Sequence, residues 1–219
     1  MNVRELQALI GTTVDGNFGP KSREALIDHF TNTNAPAVNH NDLVAFASNI
    51  GCSVEQLKAV AAVESAGSGF DNQGRPKILF ERHLFHRMTN GKWSPAIYSQ
   101  PKGGGYRESS WDKLGFACAK DVDAAFAACS WGKFQVLGMH WSALGFHSPY
   151  ALARSCIEDE GAHYDLLARY ILHFGLERAV ARISTDEDDN RAFAHGFNGP
   201  AYARFSYHTK LADAMERLA

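Results

Sequence analysis

Two carboxylates in this chain of 219 residues stand in surroundings that could give them chemistry. Glu64 lies in VESAGSGF (63–70), at the C-terminal end of a strongly apolar run and just before a Gly-containing loop. A carboxyl set on apolar packing resists ionisation, so its pKa climbs toward the range useful to a general acid near neutral pH. The alternative is a surface Glu in a last helical turn, its charge facing the negative end of the helix dipole. Glu81 lies in ILFERHLFHR (78–87), after an apolar tripeptide and beside Arg82 and His83. It reads equally as a second catalytic carboxylate, a brace for Glu64, or a salt-bridge partner of Arg82 or Arg87. Such a pair suits glycosidic cleavage, one carboxyl protonating the leaving oxygen and the other acting as nucleophile or aligning water. Sequence separation alone does not set the distance between them.

Two further segments carry amides among aromatics. CSWGKFQVLG (129–138) brings Ser130, Trp131, Phe134 and Gln135 around Gly132, and FAHGFNGPAY (193–202) brings Phe197, Asn198 and Tyr202 around Gly199 and Pro200. Amides pair with hydroxyl and acetamido groups and rings cover the apolar faces of sugars, though either can instead fill a gap between helices. Ser130 is a candidate contact to water or sugar.

Other chemistries find less support. His83 and His86 are spaced i,i+3, but there is no HExxH, and cysteines 52, 118, 129 and 156 have no zinc spacing, so the histidines read as core or surface residues and no zinc centre is expected. The four cysteines read as idle thiols in a reducing compartment, with a single disulfide as the alternative. The acidic run TDEDDN (185–190) lacks the central Gly and twelfth-position ligand of a calcium loop, and suits a helix start. A net charge of −2 supplies no global field for nucleic acid or an anionic membrane. No apolar run approaches the roughly 18 residues of a spanning helix. The start MNVRELQALIG lacks the features of a signal peptide, so a soluble chain, not exported by the general secretory route, is expected.

The elements that must position these groups read as mostly helical. Spacing predicts a helical hairpin from VRELQALI (3–10) and SREALIDHF (22–30) around the turn-rich TTVDGNFGP (12–20). Further helices are predicted over 42–49, 54–64, 122–129, 149–174, 176–183, 189–195 and 202–218, with Ser53 and Gln56 as a capping box. Ile78–Phe80 suits a strand, and PKGGGY (101–106) must be a loop. The organisation expected is a helical module at 1–33, a polar linker at 34–41 and a main body at 42–219, in a mainly α, α+β fold.

The order Glu64-Ser65, then Gly132 with Phe134-Gln135, then Phe197-Asn198-Gly199 resembles the lysozyme-like superfamily. Its goose-type lysozymes and lytic transglycosylases carry E-S, G-x-x-Q and Y-N-x-x segments in that order. VESAGSGF, GRPKILFERHLFHR, SWGKFQVLG and AFAHGFNGPAY are more similar still to the phage-type N-acetylmuramidase domains of modular endolysins. The resemblance covers about residues 42–219 and implies a helical, bilobal catalytic domain. It further implies an enzyme hydrolysing the β-1,4 bond between N-acetylmuramic acid and N-acetylglucosamine in bacterial peptidoglycan. Glu64 would be the general acid, with Gln135 and Asn198 contacting glycan and Phe134, Phe197 and Tyr202 shaping the cleft. Glu81 matches an acidic position of the family segment. Phe197 stands where the superfamily often has Tyr, which removes a hydroxyl from the cleft. The hairpin resembles a shortened peptidoglycan-binding module, with Asp15, Gly16, Phe18, Gly19 and Pro20 in place and Ser22 for the commoner Thr. The resemblance also implies no cofactor and a monomer that waits in the host bacterial cytoplasm until a holin or similar permeabiliser opens the way to the wall. The alternatives are a lytic transglycosylase, which leaves 1,6-anhydromuramic ends, and a non-catalytic wall-binding protein.

Overall fold

A computed structural model describes residues 1–65, 67–93 and 109–219; the 101–106 loop expected from sequence lies outside them. The chain forms two compact units, one from Met1–Ala35 and Phe70–Glu158, the other from Pro36–Gly69 and Asp159–Ala219.

The first unit starts with the hairpin α1 (Val3–Leu9) and α2 (Pro20–His29). Its turn is organised by Gln7, which is fully buried. The Gln7 amide donates to Asp15 Oδ1 (2.8 Å), the Asn17 carbonyl (3.1 Å) and Ser22 Oγ (3.1 Å), and its Oε1 accepts from the Gly16 N–H (2.8 Å). A buried amide satisfied on both sides holds a loop that has no regular structure of its own. The rest of the unit comprises β1 (Ile78–Phe80), α5 (Arg82–Met88), α6 (Ser110–Cys118), α7 (Val122–Ala127), β2 (Cys129–Trp131), β3 (Val136–Leu137) and α8 (Pro149–Ser155). The strands form an antiparallel sheet in the order β1-β2-β3, with Leu79 opposite Ser130 and Ser130 opposite Leu137.

Aromatic packing dominates the core of this unit. Trp131 stacks on Phe126 (centroids 5.7 Å apart) and meets Trp111 edge-on, while its indole N–H donates to the Phe126 carbonyl at 3.1 Å. Phe30, just after α2, sits 5.4–6.1 Å from the rings of Trp111, Trp131, Phe126 and Tyr150. His29 Nε2 lies 2.8 Å from Tyr150 Oη. The N-terminal hairpin therefore shares the core of the unit.

The second unit contains α3 (His40–Ile50), α4 (Val54–Glu64), α9 (Glu160–His173), α10 (Glu177–Val180), α11 (Glu187–Asn198) and α12 (Tyr207–Leu218). The capping box expected at Ser53 and Gln56 is present, and the Gln56 amide also donates to the Ala181 and Ile183 carbonyls. The acidic run does open a helix, with Asp186 as N-cap of α11. Buried Asn190 ties that helix to its neighbours, donating to the carbonyls of Ser184 and His208. Helices α4, α11 and α12 pack together, burying Leu57, Val60, Phe193 and Leu211.

Several boundaries differ from expectation. The long helix expected over 149–174 is two, because the Asp159 side chain accepts from the Ala162 N–H and starts α9 afresh. Helix 122–129 stops at Ala127, and Cys129 enters β2, whose residues are all buried; without alternation no strand is legible there. The last helix is preceded by a 3₁₀ turn at Tyr202–Phe205, with Ser206 at φ 55° between them. Helices α5 and α6 have no counterpart in the sequence reading. All four cysteines are free thiols, and Cys118, Cys129 and Cys156 are buried. No helix among the described residues is long and apolar enough to cross a membrane.

Phe30 is fully buried among four rings, so Phe30→Ala is expected to destabilise the first unit by about 3–5 kcal/mol, measured by urea denaturation.

Candidate active site

Glu64 is the last residue of α4, and its position follows from the local sequence. Leu57, Val60 and Ala61 bury one face of the helix, and Ser65 ends it by turning extended (φ −136°, ψ 136°). The Ser65 hydroxyl bonds the Ala61 carbonyl (3.1 Å) and the Gly67 carbonyl (3.0 Å), fastening the helix end to the following loop. That explains the Glu-Ser pairing: the hydroxyl closes the turn that carries the carboxyl.

Asn198 stands opposite. It is the last residue of α11, which stops at Gly199, whose φ of 76° with an extended ψ is open only to glycine at little strain. Asn198 Nδ2 donates to Glu64 Oε1 at 3.0 Å. Two helix C-termini thus converge on one carboxyl, and their partial negative charges disfavour its ionised form. Burial pushes the Glu64 carboxyl up to about 7, against the Asn198 hydrogen bond and the positive charge of Lys210, both of which favour the carboxylate. Tyr207, in the first turn of α12, is in turn pushed up by burial and by the charge of Glu64. Lys210 Nζ lies over the Tyr207 ring, 5.2 Å from its centroid. Tyr207 and Lys210 escape the sequence reading. Their only signal is an i,i+3 spacing on one helix face, which many surface pairs share.

Phe197 and Tyr202 belong to the same unit. Phe197 stacks on Phe193 and meets Tyr170 edge-on, which steadies the backbone beside Asn198. The Tyr202 ring packs edge-on against His195 and His208.

Glu81, Ser130, Phe134 and Gln135 lie in the first unit. Glu81 occupies the N-cap position of α5, its backbone N–H bonded to the Ala128 carbonyl (2.9 Å) and its Oε2 3.4 Å from His83 Nδ1. The Gly-x-x-Gln spacing has a clear local reason. The Gly132 N–H (2.8 Å) and Gln135 Nε2 (3.2 Å) both donate to the Lys77 carbonyl, and Nε2 also reaches the Gly132 carbonyl (2.8 Å). The turn between β2 and β3 is thereby tied to the chain entering β1, with Gln135 held at φ 51°. Ser130 is in the central strand and 6% exposed; Phe134 is 2% exposed and Trp131 is fully buried. These three side chains support the surface from behind and present little or no area to a ligand.

In the hairpin, Phe18 is buried and Pro20 is the first residue of α2. A side chain at Gly16 (φ 80°) would press on Arg4. Asp15, Gly19 and Pro20 open with Thr13, Asn17 and Lys21 onto a surface hollow. Hydrogen bonds from the Asn17 N–H and the Gln7 amide hold the Asp15 carboxyl below its ordinary value. Among the described residues, no group of three or more His, Cys, Asp or Glu side chains converges as a metal site.

A family model described as N-acetylmuramidase matches residues 53–219, more than half of the chain. Among solved structures, the chain is similar to the crystal structure of the Burkholderia AP3 phage endolysin. The two are 26% identical with a TM-score of 0.73, over 98% of this chain and 93% of that one. No curated protein matches it. The chain belongs to the phage-type N-acetylmuramidase family, glycosidases of peptidoglycan within the lysozyme-like superfamily.

Proposed function

We propose that this muramidase hydrolyses the β-1,4 bond between N-acetylmuramic acid and N-acetylglucosamine, with Glu64 as its general acid. The observation that carries the reading is a carboxyl set at two helix ends, hydrogen-bonded to Asn198 and pushed up to about 7 by burial. Such a group keeps its proton near neutral pH yet can release it to a developing alkoxide. Glu64 protonates the bridging oxygen as the bond from muramyl C1 breaks and positive charge spreads over C1 and the ring oxygen. Water then adds at C1, and its proton restores the acid. Glu81 serves in this reading as the group that aligns the water. In this reading the residues assigned to the glycan are Phe197 and Tyr202 in one unit and, in the other, Gln135 with the buried Ser130 and Phe134 supporting its own unit's surface. The hollow at Asp15, Gly19 and Pro20 is the place where the hairpin would touch the wall. The setting is the bacterial wall after a holin or comparable permeabiliser has released the enzyme from the host cytoplasm.

A second reading keeps the same acid, whose side chain is hydrogen-bonded to Asn198. A lytic transglycosylase needs only the one acid, because the substrate's own 6-hydroxyl attacks C1. Its anhydro products are lighter than the hydrolytic ones by one water.

Mass spectrometry of fragments released from purified peptidoglycan should therefore show reducing muramic acid ends, and Glu64→Gln should lower their release by about 10²–10⁴-fold with the fold intact. A near-normal rate in that variant would sink the assignment; anhydro ends would move it to the transglycosylase. The wild-type rate should fall as pH rises through about 7, where Glu64 loses its proton.

Stability should move in the same sense. The folded state holds the Glu64 proton to about pH 7 while the unfolded chain releases it near 4.5. The native state therefore binds more protons in that window, and stability declines across it as pH rises. Urea denaturation should show Glu64→Gln gaining up to about 3 kcal/mol over wild type above pH 7, and little advantage below about pH 4.

A further inference from the structure

Resting on the reading of Glu64 as the acid, we propose that Asn198 is a positioning residue: it clamps Glu64 Oε1 so that the transferable proton resides on Oε2, and it does not grip the glycan.

Four features carry this. Asn198 Nδ2 donates to Oε1 at 3.0 Å. A proton on Oε1 would face that N–H donor to donor, so the protonated acid carries it on Oε2, which makes no hydrogen bond among the described residues. Asn198 Oδ1 is buried and has no hydrogen-bond partner among the described residues, so the side chain would have to leave Glu64 before offering that oxygen to a sugar. Turning the amide over would place its two N–H donors in the same unpartnered pocket, and orphaned buried N–H groups are rarer than orphaned carbonyls. The orientation seen is therefore the favoured one.

The backbone under Asn198 is fixed on both sides. Phe197 packs on Phe193 and Tyr170, and the Gly199 N–H bonds the His195 carbonyl at 2.9 Å. A side chain anchored in this way can hold its partner within the tolerance that proton transfer demands. The same bond stabilises the carboxylate once the proton has left, so it offsets part of the effect of burial.

The two roles make different predictions. If Asn198 gripped the glycan, substituting it would raise KM and leave the titration of Glu64 alone. If it clamps Glu64, substituting it moves that titration and lowers kcat. The experiment uses the full chain with Asn198→Ala, Asn198→Asp and, in parallel, Glu64→Gln. The Glu64 carboxyl is titrated by ¹³C NMR, and kcat and KM are measured on soluble glycan strands across the pH range. In Asn198→Ala the Glu64 midpoint should rise by roughly half a unit to one unit, kcat should fall about tenfold or more and KM should stay within about twofold. Asn198→Asp keeps the shape and the acceptor oxygen but adds a like charge, so its midpoint should rise further. It also carries the test should the Ala variant not fold. An unmoved midpoint with a several-fold higher KM would overturn the role given to Asn198. If Glu64→Gln were inactive in that case, the acid assignment would stand without it. A Glu64→Gln variant of near-normal rate would remove both.

Discussion

Everything particular to this molecule follows from one unfavourable placement, a carboxyl withdrawn from water at the ends of two helices. Burial opposes the charge on Glu64, as do the two dipole ends, and among the described residues the Asn198 amide and the nearby Lys210 act the other way. The balance leaves a proton that is held at neutral pH and is still exchangeable. Such a site has to be maintained by the packing around it. The capping box at Ser53, the Gln56 bridge to the 181–183 turn and the buried Asn190 are all fully bonded links among the helices that carry Glu64 and Asn198. Each satisfies backbone groups that a helix end or turn would otherwise leave without a partner.

The first unit solves a different problem. Its sheet has three short strands and too little area to build a core unaided, so a cluster of rings does the packing, with Phe30 contributed from the hairpin. The family match starts at residue 53, yet this unit includes residues 1–35. The hairpin thus shares a core with residues of the family region, whatever it touches outside. Its turn motif is largely consumed internally: Phe18 packs, Gly16 relieves Arg4, and Asp15 is held by Gln7 and Asn17.

Motif residues here hold the scaffold. Ser65 closes the helix behind Glu64, Gly199 ends the helix behind Asn198, and Gly132 with Gln135 secures one turn to the Lys77 carbonyl. A motif therefore records a way of placing a group as well as the group itself. Trp131 and Phe134 are the sharper instance: an aromatic-amide segment that reads as a sugar wall turns its rings into the core.

Much of this is legible before any fold is known. Helices with strong apolar spacing and local caps, such as Val54–Glu64, declare themselves because their determinants lie within a few residues of one another. The order of Glu64, Gln135 and Asn198 is enough to suggest the family, and the apolar run before Glu64 already implies a perturbed acid. What the chain alone could not convey depends on distant partners. The break at Asp159 and the strand at Cys129 follow from a competing cap and from burial on both faces. The pairing of Glu64 with Asn198, 134 positions away, and the approach of Tyr207 and Lys210 were decided only by how α4, α11 and α12 pack. Local propensity is written in neighbouring residues, whereas the field at a carboxyl is the sum over whatever tertiary structure brings beside it.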